Sequence, residues 1–316
     1  SDTLSTPLRR PYKSLSILIF VNNVLTQKMG SYFQLLRWNK PSGRLILLIP
    51  AGWSLWLTPS PPPSLFVLGI IISGGLFVSG AGCIANDIWD RQFDKRVTRT
   101  KERPLANGKV SLKTAWILLV LMLFLSLFIV LSIPTESRNL CLFLASLSLP
   151  LILLYPSAKR WFKYPQLILS ICWGFSVLIP WAASESSLVG GVPLVFCWLA
   201  TIFWSFGFDT VYAMADEIDD KVIGLNSSAI SLGGKSIKTV SFCYFLTCIF
   251  LAFASFKANL GLIYWPFWLI ATFGMQKEVF LLNSRSKGIK TSGLHFSNQV
   301  KIGSLLLLGM ILSKTF

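Results

Sequence analysis

Residues 65–94 read LFVLGIIISGGLFVSGAGCIANDIWDRQFD. From Leu65 to Asn86 there is no charged residue. A run of roughly 17–25 mainly apolar residues is what one helix needs to cross a bilayer core. The run then ends on Asp87, Asp90 and Asp94. Spacings of three and four residues put side chains on one helix face, so the stretch predicts a membrane helix whose end carries a column of carboxylates. Like charges that close repel and raise one another's pKa. A bound cation would relieve that repulsion.

A second stretch repeats the theme. Residues 208–220 read FDTVYAMADEIDD, and Asp209, Asp216 and Asp220 share a face if the helix continues through them. Together the two regions take nine of the 13 acidic residues in the chain: Asp87, Asp90, Asp94 and Glu102, then Asp209, Asp216, Glu217, Asp219 and Asp220. Exposed loops would scatter their acids, and here they gather at the ends of apolar runs.

Composition gives the setting. The chain has 316 residues, 53% hydrophobic and 13% charged, with a net charge of +16. Soluble domains carry about 25% charged residues, so this is a polytopic membrane protein. Nine segments are long and apolar enough to be read as spans: about 41–58, 65–86, 115–133, 138–155, 165–184, 193–215, 237–256, 262–282 and 298–315. The first is the weakest, interrupted by Pro41, Gly43, Arg44 and Pro50. Residues 1–40 read as a basic, polar extension. Its apolar run Leu15–Val21 is too short to span and could lie in the interface. No A-x-A-like cleavage site is evident, which disfavours a signal peptide. Residues 41–316 read as one transmembrane domain.

Basic residues orient the bundle. Seven Lys/Arg precede or include Arg44, eight fall in 87–114, three in 156–164, three in 216–238 and five in 277–301. Only Arg138, Lys257 and Lys314 of the 29 remain for the other side. The positive-inside rule puts the N-terminus and both acidic regions in the cytoplasm and the C-terminus outside. The basic surplus is thereby a topology signal, and nucleic-acid binding need not be invoked. The six cysteines lie in or beside apolar runs with no CxxC pair, which argues against zinc or a disulfide framework. His295, the only histidine, is expected to be a loop residue.

Oxygen ligands without His or Cys favour a hard ion, Mg²⁺ over Zn²⁺. Mg²⁺ is commonly held by a few carboxylates together with substrate phosphate oxygens. Two acidic columns at one membrane surface, with eight basic residues beside the first, point to a diphosphate clamped between metal and Arg/Lys.

At these residues the chain resembles the UbiA superfamily of intramembrane prenyltransferases, whose NDxxDxxxD and DxxxD motifs correspond to Asn86–Asp94 and Asp216–Asp220. The stretches RWNKPSGRLILLIPAGWSLW (37–56), RTKERPLANGKVS (99–111), YPSAKRWFKYPQ (155–166) and FDTVYAMADEIDDKVIGLNSSAI (208–230) are similar to its 4-hydroxybenzoate polyprenyltransferase branch, cyanobacterial members above all. The resemblance implies an all-α fold of nine transmembrane helices around a central cavity. It also implies Mg²⁺-dependent transfer of a polyprenyl group from its diphosphate to 4-hydroxybenzoate, ortho to the hydroxyl, in plastoquinone or ubiquinone biosynthesis. A bacterial plasma membrane is the expected location, and no obligate protein partner is evident.

The residue roles expected on this footing follow. Asp87, Asp90 and Asp94 hold one metal ion, and Asp216 and Asp220 another. Asp209 and Asp219 support them, with Asp209 orienting a ligand or a basic partner. A nearby Asp serves as base, which one being left open. Lys40, Arg44, Arg91, Lys95 and Arg103 contact the diphosphate, and Asn86 lies in the same motif. Lys159 and Arg160 bind the benzoate carboxylate, Arg160 leading. The loops 95–114 and 221–236 act as lids. The small residues Ser73–Gly82 are expected to shape helix packing and not to touch substrate. Asn39, Asn226 and Phe208 depart from the residues many relatives carry. An acceptor such as homogentisate or a tetrapyrrole is the alternative within the enzyme class. An ion-coupled transporter is the alternative outside it, disfavoured because the acids sit at the cytoplasmic ends of the spans.

Overall fold

The computed structural model describes residues 26–39, 42–284 and 289–315, apart from the side chains of Ser42, Arg44 and Ser284. Every regular element among the described residues is a helix. The α-helices are α1 (residues 26–35), α2 (Ser42–Leu57), α3 (Leu65–Asp94), α4 (Leu112–Leu131), α5 (Thr135–Leu154), α6 (Pro165–Glu185), α7 (Gly191–Ala213), α8 (Glu217–Ile223), α9 (Ser228–Leu232), α10 (Ser236–Lys257), α11 (Tyr264–Ser284) and α12 (Ile289–Thr315), with short 3-10 helices at Tyr155–Arg160 and Gly233–Lys235. A helix therefore stands at each of the nine expected places. Seven of them, α3–α7, α10 and α12, are both long and apolar enough to cross a membrane. The apolar part of α2 is short, at Leu45–Leu57, and α11 does not meet the same measure of length and apolarity.

Local chemistry sets the boundaries. Ser64 caps α3 by accepting from the Val67 amide, and Ser111 does the same for α4 at Thr114, satisfying amides that have no intrahelical partner. Pro165 opens α6, where its missing N–H costs nothing. Gly224 ends α8 with a φ of 73°, a left-handed conformation that glycine adopts freely.

The packing is uneven. One large core joins α2, α6, α7, α10, α11 and α12 around the buried rings of Trp53, Trp181, Trp204, Tyr244 and Tyr264. The close approach of α7 to α10 needs Gly207, because a Cβ there would lie 2.6 Å from the Tyr244 ring. Two of its tryptophans are tied: Trp53 donates to the Gly303 carbonyl at 3.1 Å and Trp204 to Gln299 at 2.9 Å. His295 belongs here too. It is fully buried on α12, bonded to the Tyr244 hydroxyl at 2.7 Å and facing Glu278 at 3.7 Å. The loop expected for it is corrected: α12 begins at Ile289, nine residues before the span drawn from hydropathy at 298.

On the other side, smaller apolar clusters join α3 to α4 and α5 to α6. Leu35 and Leu36, at the end of the N-terminal extension, pack into the first of these. A cavity of about 800 Å³ remains between α2, α3, α4, α5 and α6. Gly74, Gly75, Ser79, Ala81 and Gly82 of α3 line it. Gly74 and Gly75 also serve close packing, since a Cβ would lie 3.2 Å from Ile129 and 2.7 Å from Leu48.

Candidate active site

The two acidic motifs are carried on different backbones. α3 runs unbroken through Asp94, so Asp87, Asp90 and Asp94 hold one face and all three are buried. α7 instead stops at Ala213, residues 214–216 turn, and Asp216 stands at the head of α8. The continuous column drawn from Asp209 to Asp220 is thus broken. Its physical cause is legible: Asp216, Glu217, Asp219 and Asp220 complement the positive N-terminal end of a new helix better than they would continue an old one.

Basic side chains from three segments close over the carboxylates. Arg37 donates to Asp87 at 2.6 Å, and Arg103 bridges Asp87 at 3.2 Å and Asp94 at 2.8 Å. Lys159 reaches Asp90 at 2.9 Å, and Arg160 approaches its other oxygen at 3.3 Å. Arg99 grips Asp216 with two nitrogens and donates to the Tyr212 hydroxyl at 3.1 Å. The Thr98 amide donates to Asp219 at 2.8 Å, and the Asn226 amide to the Lys159 carbonyl at 2.8 Å. The loops after α3 and α8 are in this way fastened across the site, as lids would be.

A small cavity of about 20 Å³ lies beneath them, lined by Asp90, Asp94, Asp216 and Asp220 together with Arg99, Arg103 and Lys159. Arg99, Arg103, Lys159, Asp216 and Asp220 also line the large cavity, so the two adjoin. Burial, opposed by Lys159 and reinforced by Asp216, raises the Asp220 carboxyl to about 6. Burial works against the charge of Arg99 and of Arg103, yet Asp216 holds the first above its ordinary pKa, and Asp87 and Asp94 the second.

Among the described residues no three Asp, Glu, His or Cys side chains stand close enough to hold a metal ion by themselves. The sites expected from sequence draw on substrate phosphate oxygens as well as carboxylates, and Arg and Lys side chains pair with those carboxylates here. The donor set still fits a hard cation. The carboxylates of Asp90, Asp94, Asp216 and Asp220 converge on one small cavity, while Asp87, whose Oδ2 is buried without a hydrogen-bond partner among the described residues, lines neither cavity.

Other expected residues fall differently. Asn86 lines the large cavity and accepts from the Tyr155 hydroxyl at 3.4 Å. Asp209 also lines it, and its carboxylate makes no hydrogen bond or ion pair with the described residues. Arg160 lines neither cavity. It donates to the Trp89 and Pro156 carbonyls and stacks over Phe93 at 4.8 Å, so it braces the outer side of α3. Arg91 and Lys95 line neither cavity either, and Lys95 is exposed at the end of α3. Asp219 lies outside both cavities, and Lys40 and the Arg44 side chain lie outside the described residues. Phe208 sits in an aromatic cluster with Trp173, Trp204 and Phe296. Arg37, Arg99, Tyr155 and Gln166 were not singled out from sequence. The first two were visible as basic residues, but spacing does not tell which loop cation turns inward.

A helical membrane bundle with an acidic and basic cradle over an apolar cavity is the architecture of the intramembrane prenyltransferases. Residues 47–299 match the UbiA prenyltransferase family, and the chain belongs to it. It is an integral membrane protein. It is 41% identical to the 4-hydroxybenzoate solanesyltransferase of Synechocystis, over 88% of this chain and 93% of that protein. It is 37% identical to the 4-hydroxybenzoate octaprenyltransferase of Cupriavidus pinatubonensis, over 78% and 83%. Among solved structures it is similar to a UbiA homologue from Aeropyrum pernix (TM-score 0.72, 24% identity, covering 85% of this chain and 97% of that one). A UbiA homologue from Archaeoglobus fulgidus bound to DMAPP and Mg²⁺ is also similar (TM-score 0.67, 21% identity, 90% and 99%). At these identities the structural likeness concerns the fold.

Proposed function

We propose that this enzyme transfers a polyprenyl group from polyprenyl diphosphate to the ring of 4-hydroxybenzoate, ortho to the hydroxyl, supplying a quinone precursor. The observation that carries this reading is the meeting of both acidic motifs on one small polar cavity that adjoins a large, mainly apolar one.

Asp87, Asp90 and Asp94 on one side, and Asp216 and Asp220 on the other, would hold a divalent cation, Mg²⁺ by the hardness of the oxygen donors. When bound, that ion neutralises charge on the diphosphate as it leaves. Lys159, Arg99 and Arg103 line both cavities and reach the same phosphate oxygens, Arg in bidentate fashion. As the allylic C1–O bond breaks, they stabilise the charge that develops on the leaving group. The large cavity receives the isoprenoid tail between α3, α4 and α5, and the loops after α3 and α8 exclude water from the carbocation. The ring carbon ortho to the hydroxyl then bonds C1, and that carbon's proton is lost. Asp209 faces the cavity without a partner among the described residues and is the carboxylate placed to take a proton or to orient the phenol.

We place the enzyme in a bacterial plasma membrane, and the basic loops support having the N-terminus and the site on the cytoplasmic side. Residues 41–316 form the catalytic domain, and 1–40 the extension whose end docks on it. The test is Mg²⁺-dependent transfer of radiolabelled isoprenoid to 4-hydroxybenzoate by membranes containing the protein. Transfer that persists in the Asp90→Ala and Asp216→Ala variants, or in excess chelator, would sink the reading.

A further inference from the structure

Gln166 is the second residue of α6 and only 6% exposed, yet it lines the large cavity. Its Oε1 accepts the Ser228 amide at 2.7 Å. That amide belongs to the first turn of α9, where backbone donors have no helical partner. Because a backbone N–H can only donate, the bond also fixes which end of the Gln166 amide is oxygen. The other end, Nε2, makes no hydrogen bond with the described residues, and it is not among the side-chain atoms sealed in the interior without a partner. It is therefore a donor held at the wall of the cavity. The hold is rigid: Ser228 is locked to Thr210 through their hydroxyls at 2.8 Å, and Thr210 neighbours Asp209 on α7.

The surroundings say what this donor meets. Asn86, Tyr155, Asp209 and Trp173 line the same cavity. An uncharged, anchored donor near an aromatic wall suits an oxygen substituent on an aromatic ring. The diphosphate already has Lys159, Arg99 and Arg103. We propose that Gln166 binds the aromatic acceptor, its Nε2–H donating to an oxygen on the acceptor ring, and so helps to select that substrate. The inference rests on the prenyltransferase reading above and adds a specificity residue to it.

The variant Gln166→Glu tests it, because a carboxylate still accepts from Ser228 while losing the donor and adding a negative charge. Steady-state KM values for donor and acceptor are measured in membranes, with 4-hydroxybenzoate and homogentisate each offered. A lost hydrogen bond to a charged or polarised oxygen corresponds to a change of about 10- to 100-fold. Gln166→Glu is expected to raise KM for the acceptor by that factor and leave KM for the prenyl diphosphate within about twofold. Gln166→Met, which keeps the bulk and loses both amide ends, is expected to do the same or worse. An unchanged acceptor KM in Gln166→Glu overturns the inference, as does an equal rise for both substrates. If the parent enzyme uses homogentisate and not 4-hydroxybenzoate, the choice of acceptor above fails, and Gln166 is judged on homogentisate. If neither ring is prenylated, both readings fall.

Discussion

The first acidic motif is one face of a long helix, and the second is a turn followed by a seven-residue helix. Both deliver carboxylates to the same cavity. Asp87, Asp90 and Asp94 are buried by the bundle and inherit its rigidity. Asp216 and Asp219 are held by contacts from another loop, through Arg99 and the Thr98 amide. The contrast separates two ways of building half a site. One half has its backbone fixed in a span, with Arg103 of the loop after α3 added to Asp87 and Asp94; the other has the head of a short helix held by that loop. A change at Asp90, which pairs with Lys159 and Arg160, should therefore act on the chemistry, whereas a change at Asp216 or Asp219 can also act by releasing the lid.

The largest effects break the symmetry of the pair least. Asp90→Ala and Asp216→Ala each remove a carboxylate from the shared cavity and should lower kcat by about 10³-fold or more, with chelation of the divalent ion equally damaging. A surviving rate in either variant, measured by isoprenoid transfer, would mean that the two motifs are not one site. Next comes a pair of neighbours that sequence treats alike. Lys159 lines both cavities and Arg160 neither. Lys159→Ala should cost about 10²-fold in kcat/KM for the prenyl diphosphate, and Arg160→Ala should stay within about threefold, as for a partly exposed pair. Equal losses would return Arg160 to the site.

That pair marks the limit of what sequence alone carries. Helix positions followed from runs of apolar residues because a bilayer imposes a length, and the first motif followed from a three-and-four spacing because α3 continues through it. The second motif did not, since periodicity cannot announce that α7 ends at Ala213. Nor can charge counting choose among loop cations. Arg37, Arg91, Lys95, Arg99, Arg103, Lys159 and Arg160 all sit where the positive-inside rule wants them, and only the packed structure turns Arg37, Arg99, Arg103 and Lys159 toward the cavity. Gln166 carried no signal at all. An uncharged residue at the start of a span looks ordinary until its oxygen is seen to be fixed by Ser228.

Smaller effects sharpen the contrast between bundle-held and loop-held carboxylates. Arg99 binds Asp216 with two nitrogens, a geometry lysine cannot reproduce. Arg99→Lys should therefore lower kcat/KM by about tenfold, while leaving residual metal dependence unchanged. The smallest effect belongs to Asp219. Its neighbours Asp216 and Asp220 line the cavity, but Asp219 instead accepts the Thr98 amide at 2.8 Å. Were it a metal ligand, Asp219→Asn would be nearly as harmful as Asp216→Ala. As a fastening for the lid it keeps an acceptor oxygen in the asparagine, so the cost should be about twofold. Asp219→Ala leaves the amide without that partner and should cost about fivefold, the worth of one hydrogen bond of about 1 kcal/mol. The ranking of the two substitutions at residue 219 thus reports whether the second motif binds the metal with all its acids or uses one of them to hold the loop that covers the first.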